Sequence, residues 1–256
     1  MYMKSKILSF QPVRTVIRAI DSAARDGITI FAAQSSFFIC ISAIPLAVLV
    51  ISLSRLLSPD TVTRALGVVR EALPVSARDF FDTVAEETAA KSDVSLVSFA
   101  ALGLLWTASR GVSALTEGVS AIYGSNKKVS FAAKAARSIL FTLSSVVVIT
   151  SVLAALVFGG GAPSHYRGAI VFFALMILFA LVYSRAGGDG LKESFPGAVF
   201  SAVGWTVFSF AYSFYFDSFP RLSYLYGSLA AVVFFMLWVY FCVLIFMFGA
   251  EINKNK

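Results

Sequence analysis

The chain has 256 residues, of which 58% are hydrophobic and 14% charged, and its formal net charge is +7. Ordinary globular domains carry about 25% charged residues, so this composition excludes a soluble globular protein. The positive charge is expected at the cytoplasmic membrane surface, where anionic lipid attracts basic residues, and it does not require nucleic acid as a partner.

Uncharged, mostly apolar runs recur along the chain and predict its membrane spans. The runs are 27–54, 94–109, 138–164, 168–184, 194–216 and 222–250. A helix needs about 20 residues to cross the hydrocarbon core, so four runs suffice by length. The two short ones are completed by terminal arginines whose side chains extend towards the headgroups. We predict an all-α polytopic membrane protein, a single domain over 1–256 with six transmembrane helices.

Two segments outside these runs also have helical patterns. Residues 1–26 form a cytoplasmic segment that is expected to hold an amphipathic helix in the membrane plane. The first apolar run is too long for a cleavable signal, so it is expected to be a retained anchor. In the outer segment 58–93, Ser58 before Pro59 and the capping box of Ser76 with Asp79 predict two short helices.

Basic residues set the orientation. With the N-terminus inside, fourteen of the 21 Lys and Arg residues flank the spans on the cytoplasmic side and seven on the outer side. We therefore expect both termini in the cytoplasm.

Few polar side chains interrupt the spans, and these are the candidate functional residues. Gln34 precedes Pro45, which is expected to bend the first span; a polar cavity or hydrogen bonding between helices would explain it. Arg110 and Glu117 are seven residues apart and share one helix face. We expect this pair at the inner membrane boundary, facing the bundle. It forms either a salt-bridge network that braces helices or a ligand site.

Other features favour packing over chemistry. Gly197, Ser201 and Gly204 have the spacing of a helix contact surface, and Cys40 and Cys242 lie in apolar runs, where burial is expected. The single histidine lies in an outer loop, and no nucleotide-binding fingerprint is present. We expect no catalytic residues, no metal ligands, no cofactor and no enzymatic activity.

Four motifs resemble the YihY/BrkB family of bacterial inner-membrane proteins. They are "SFFICISAIPL" (36–46), "LLWTASRGVSALTEGVSAIYG" (104–124), "PGAVFSAVGW" (196–205) and "YLYGSLAAVVFFMLWVYFCVLIFMFGAEIN" (224–253). The resemblance implies a six-helix protein of envelope integrity, with lipid translocation among the suspected roles. Some members have been labelled ribonuclease BN, but one outward-facing histidine without an acidic metal cluster argues against that label here.

Motif by motif, the resemblance assigns residues to two roles. A substrate path or inner-face network would include Arg110, Glu117, Tyr226 and Glu251, and we add Gln34 to it because it is a polar residue within the first span. Helix geometry would depend on Pro45, Trp106, Pro196, Trp205 and Gly227.

Three functions follow from these expectations. The first is transport of a lipid or other amphiphile, with membrane lipids as partners. The second is a non-transporting envelope scaffold that recruits an envelope protein, or a second copy of the chain, through its outer helices. The third is a nuclease, which the missing catalytic groups disfavour.

Overall fold

The computed structural model describes residues 22–54, 63, 66–67, 70, 78, 81–83, 86, 94–124, 164–187, 190–218 and 228–255. These residues are almost all helical, and they include five long helices. The helices are α1 (Ile28–Ser54), α2 (Val94–Ile122), α3 (Ser164–Gly187), α4 (Leu191–Ser218) and α5 (Ser228–Lys254). The predicted all-α class is confirmed for this part of the chain.

Four of these helices are long and apolar enough to cross a membrane. Their qualifying segments are Ile28–Leu46, Gly168–Arg185, Leu191–Tyr215 and Val232–Lys254. Each lies within or overlaps a predicted span. Helix α2 has 29 residues and contains the predicted span 94–109.

Several predictions fall on residues outside the described part. The predicted span 138–164 lies there except for its last residue, as does most of the in-plane helix. Of the outer segment 58–93, only single positions and short stretches are described. Among these, Arg70 and Asp82 form an exposed ion pair, with 2.9 Å from Arg70 Nε to Asp82 Oδ2.

Helices α1 and α2 pack antiparallel along a row of small residues on α2. The row consists of Ala100, Gly103, Thr107, Gly111, Ala114 and Gly118. A Cβ atom on Gly111 would lie 3.5 Å from Phe38 Cβ and Ile39 Cγ1, and one on Gly118 would lie 2.8 Å from Phe31 Cβ. Small side chains at three- and four-residue intervals let two backbones approach closely where lipid supplies no hydrophobic drive.

Helix α5 is the centre of the bundle because it packs against both α1 and α4, and α4 in turn packs against α3. In its membrane-length segment 44% of the residues are buried, against 22–28% in the other three. The core of the described residues includes Tyr183, Ala198, Trp238 and Met247. Towards the outside, the same helices expose large apolar side chains such as Phe210, at 76%. This inverted exposure is expected for helices surrounded by lipid.

Candidate functional site

On the outward face of α2, the side chains change from apolar to polar at Arg110. On the preceding turns the exposed side chains are apolar: Phe99, Leu102, Leu105 and Trp106. Arg110 is also exposed, and half-buried polar residues follow it at three- or four-residue intervals on the same side of the helix: Ser113, Glu117 and Ser120. We call Arg110, Ser113, Glu117 and Ser120 the polar stripe. It lies about 100° around the helix from the small residues that contact α1.

The register between helices gives the depth of the polar stripe. Gly111 lies beside Ile39, near the middle of the membrane-length segment Ile28–Leu46 of α1. A Cβ on Gly118 would be 2.7 Å from Met247 Cε, so the lower part of the stripe is level with the last turns of α5. Arg110 therefore lies near mid-depth of the bundle, and the stripe extends from there towards the end that holds both Phe31 and Met247.

This position differs from the boundary site that we expected for Arg110. The apolar run ends at residue 109, but α2 continues beyond it to Ile122. The depth of Arg110 is given by the α1 residues beside Gly111, which are the apolar Phe38 and Ile39. Arg110 is also exposed, so its side chain does not face the bundle as expected.

A charged group at mid-depth is costly unless it is paired or wetted, and it usually marks a substrate or ion pathway. Within the described residues, no ion pair joins Arg110 to a neighbour. Glu117 is half-buried and has contacts of its own. Trp106, one turn from Arg110, contacts Phe38 of α1 edge to face, with 6.2 Å between ring centroids. Along α2, Arg110 is thus preceded by exposed aromatic and aliphatic residues and followed by half-buried polar residues.

Glu251 lies in a second polar cluster at the end of α5, where it is fully buried. The Ser22 hydroxyl donates to Glu251 Oε2 at 2.6 Å, and Asn255 Nδ2 donates to the same oxygen at 3.3 Å. The Asp26 carboxyl interacts with Glu251 and forms an ion pair with Lys254. Glu251 Oε1 is buried and has no hydrogen-bond partner in the described structure. The cluster fastens the segment before α1 to the last turn of α5.

Asn253 was not among the predicted residues, yet its side chain hydrogen-bonds to the backbone on both sides of Pro196. Proline has no backbone N–H and interrupts the hydrogen bonds of a helix. The Asn253 side chain accepts a hydrogen bond from Gly197 N at 2.7 Å and donates one to Ser194 O at 3.0 Å. Gly197 and Gly249 touch at this crossing, since a Cβ on Gly197 would lie 2.1 Å from Gly249 O. The predicted helix contact surface of α4 is confirmed.

Tyr183 forms another polar contact that the sequence did not indicate. Its hydroxyl is fully buried, donates to Phe246 O at 2.6 Å and lies 2.8 Å from Ser201 Oγ. It thereby joins α3, α4 and α5 at one point. A tyrosine at the end of an apolar run is usually read as an interface residue, so only the packing reveals this role.

The remaining predicted residues are spread over the molecule. Gln34 is exposed on α1. Pro45 lies beside Gly103 of α2, since a Cβ atom on Gly103 would be 3.9 Å from Pro45 Cβ. Pro196 is exposed. Trp205 packs between the rings of Phe179 and Trp238, at 5.7 and 5.9 Å between centroids.

Tyr226 and Gly227 lie outside the described residues. Cys40 and Cys242 are buried free thiols, as expected. The structure does not bring Gln34, Arg110 and Glu251 together into one network. Within the described residues, no group of three or more His, Cys, Asp or Glu side chains could hold a metal ion.

Membrane-length helices with lipid-type exposure define a class: the chain is a multi-pass α-helical membrane protein. It belongs to the Virulence factor BrkB family, whose sequence profile matches residues 19–255. The resemblance deduced from the four motifs is thereby confirmed.

Several bacterial proteins are similar to this chain. It is 29% identical over 240 residues to YfkH of Bacillus subtilis (strain 168), which is described as ribonuclease-like; the match covers 86% of this chain and 87% of that protein. It is 37% identical over 82 residues to a UPF0761 membrane protein of Vibrio campbellii, covering 32% of this chain and 26% of the relative. A UPF0761 membrane protein of Alteromonas mediterranea is 27% identical over 116 residues, 43% of this chain and 40% of the relative. No solved structure matches the chain significantly.

Proposed function

We propose that this protein translocates a lipid or another amphiphile across a bacterial inner membrane, with both termini in the cytoplasm and envelope maintenance as its role. The observation that carries the proposal is the exposed Arg110 near mid-depth, at the top of a polar stripe on the outward face of α2. A charge at this depth needs either a counter-charge or water, and a passing anionic headgroup supplies the first.

The two halves of the α2 face suit the two parts of an amphiphile. The polar stripe offers hydroxyl, carboxylate and guanidinium groups to a headgroup that moves along it. Exposed apolar side chains on α1, α2 and α4 are in contact with the bilayer, where the acyl chains remain. The headgroup therefore moves beside the protein, and its tails do not need to leave the lipid.

The test is lipid translocation in vesicles that contain the purified protein and a lipid fluorescently labelled on its acyl chain. A membrane-impermeant reductant bleaches only the outer leaflet, so translocation appears as extra bleaching over empty vesicles. We expect Arg110→Ala to slow translocation about tenfold, which corresponds to about 1.4 kcal/mol of barrier. Arg110→Lys distinguishes a point charge, which it preserves, from a bidentate guanidinium contact, which it removes.

Arg185→Ala is the matched control, because Arg185 is also an exposed arginine of a membrane-length helix but lies on α3. It should leave the rate unchanged. Wild-type vesicles that bleach no faster than empty ones would refute the proposed function. Equal slowing by both arginine substitutions would remove the assigned role of Arg110.

The exposed ion pair of Arg70 and Asp82 favours the second candidate, a scaffold that recruits an envelope protein or a second copy through the outer segment. The two residues are twelve positions apart, so their pairing holds two parts of that segment together. Replacing residues 61–91 by a short linker tests this. Loss of envelope function with lipid translocation intact would support the scaffold, and full envelope function would exclude it.

The description of the Bacillus subtilis relative as ribonuclease-like raises a different activity, and we propose that this chain is not an enzyme. The argument rests on the single histidine, His165, which is the second residue of α3 and so begins that helix instead of lying in the predicted outer loop. RNA cleavage that co-purifies with the protein and disappears when His165 is replaced would overturn this view.

A further inference from the structure

We propose that the polar stripe selects a headgroup that carries both charges, with its phosphate on Arg110 and its primary amine on Glu117. The headgroup class is phosphoethanolamine. The inference rests on the proposed function and names its substrate class.

Two opposite charges follow each other along the same side of α2. Arg110 and Glu117 are separated by about 10.5 Å along the axis, at 1.5 Å per residue, with Ser113 between them. Side chains this far apart on one helix do not form the usual contact between residues three or four positions apart. A ligand that lies over Ser113 can contact both, because the Glu117 side chain leans towards the N-terminal side of α2, where Arg110 lies, and the arginine side chain is long.

The chemistry of the two groups matches the two ends of such a headgroup. A guanidinium presents paired N–H donors that fit the oxygens of a phosphate. A carboxylate accepts hydrogen bonds from a primary ammonium, which has three N–H donors. The order along the helix also fits: the apolar exposed residues end at Trp106, so the phosphate, which is nearer the acyl chains, meets Arg110 first.

Other lipid headgroups match only one of the two charged groups of the polar stripe. Phosphatidylglycerol has the phosphate but no cation, so its hydroxyls meet the carboxylate of Glu117. Phosphatidylcholine has the charge but no N–H donor. A carboxylate binds an ammonium N–H donor more strongly than a neutral hydroxyl or a group without a donor, so both lipids should cross more slowly.

The experiment compares acyl-labelled phosphatidylethanolamine, phosphatidylglycerol and phosphatidylcholine in vesicles of one fixed composition that contain the wild-type protein. We expect phosphatidylethanolamine to cross about tenfold faster than either of the others, a factor that corresponds to about 1.4 kcal/mol. Glu117→Gln should bring phosphatidylethanolamine down to the rate of phosphatidylglycerol. Arg110→Ala should slow all three lipids, because all three carry the phosphate.

Glu86→Gln is the matched control, an exposed glutamate in the outer segment, and it should preserve the lipid preference. Circular dichroism checks that the variants are helical. If Glu117→Gln does not fold, Glu117→Asp replaces it, and the preference should then fall but remain above one. The wild-type comparison needs no variant at all.

The outcomes separate this inference from the proposed function. If the three lipids cross wild-type vesicles at equal rates above background, the selectivity is refuted while translocation stands. If phosphatidylglycerol crosses fastest, the role of Glu117 is refuted. If no lipid crosses, both proposals fail.

Discussion

Replacing Gly197 by alanine should destabilise the contact between α4 and α5. The new Cβ would lie 2.1 Å from Gly249 O and 2.4 Å from Asn253 Nδ2. Normal contact begins near 3.4 Å, so the two helices must separate by roughly 1.3 Å or tilt at this point. Overpacking of this kind typically costs about 1–3 kcal/mol.

The movement also disturbs the two hydrogen bonds that the Asn253 side chain makes with the backbone of α4. Hydrogen bonds between membrane helices contribute on average about 0.6 kcal/mol each. The total loss for Gly197→Ala is therefore about 2–4 kcal/mol. Part of it is offset because alanine favours a helix over glycine by about 1 kcal/mol.

Gly168→Ala is the matched control for this prediction. Gly168 lies in α3, and no atom lies within 4 Å of its hypothetical Cβ. The same helix propensity gain applies, so the difference between the two variants isolates the clash. The assay is reversible denaturation in detergent micelles, followed by far-ultraviolet circular dichroism. Equal midpoints for the two variants would refute the close contact between α4 and α5.

Three further substitutions, at two positions, test the buried polar contacts by the same assay. Glu251→Gln should be at least as stable as wild type, because its amide oxygen still accepts a hydrogen bond from Ser22 and its new N–H₂ group can donate to Asp26. Glu251→Ala should lose about 1–3 kcal/mol of stability, because the Ser22 hydroxyl loses its acceptor. A Gln variant as unstable as the Ala variant would contradict this reasoning. Tyr183→Phe removes one hydroxyl that joins three helices and should cost about 0.6–1.7 kcal/mol; an unchanged midpoint would show that the hydroxyl contacts do not contribute.

The sequence predicted the class of structure well because that class depends on composition and run length. Uncharged runs longer than about 20 residues have few stable alternatives to a membrane-spanning helix. The runs containing Cys40 and Cys242 became α1 and α5, and the small residues around Gly197 became a helix contact. The family resemblance came from motifs in the same helices.

The candidate site was less accessible to sequence reasoning. The serines at positions 113 and 120 repeat at helical spacing around Glu117, so the polar stripe could have been recognised. The partners of Glu251 could not, because Ser22 is 229 residues away along the chain. Asn253 looked like a polar residue at a helix end, and only the crossing at Gly197 gives it a function.

The sequence alone determined that this chain forms apolar helices, where most of them lie and to which family it belongs, because these properties are local or follow from matching segments. The tertiary structure decided how deep each residue lies. Depth is a relation between helices: Arg110 follows the end of an apolar run, but the contacts of Gly111 with Ile39 and of Gly118 with Phe31 place it beside the middle of α1. The pattern of charges along one helix contains no information about the neighbouring helices. For this reason the sequence placed Arg110 at the membrane boundary, whereas the packing places it near mid-depth of the bundle.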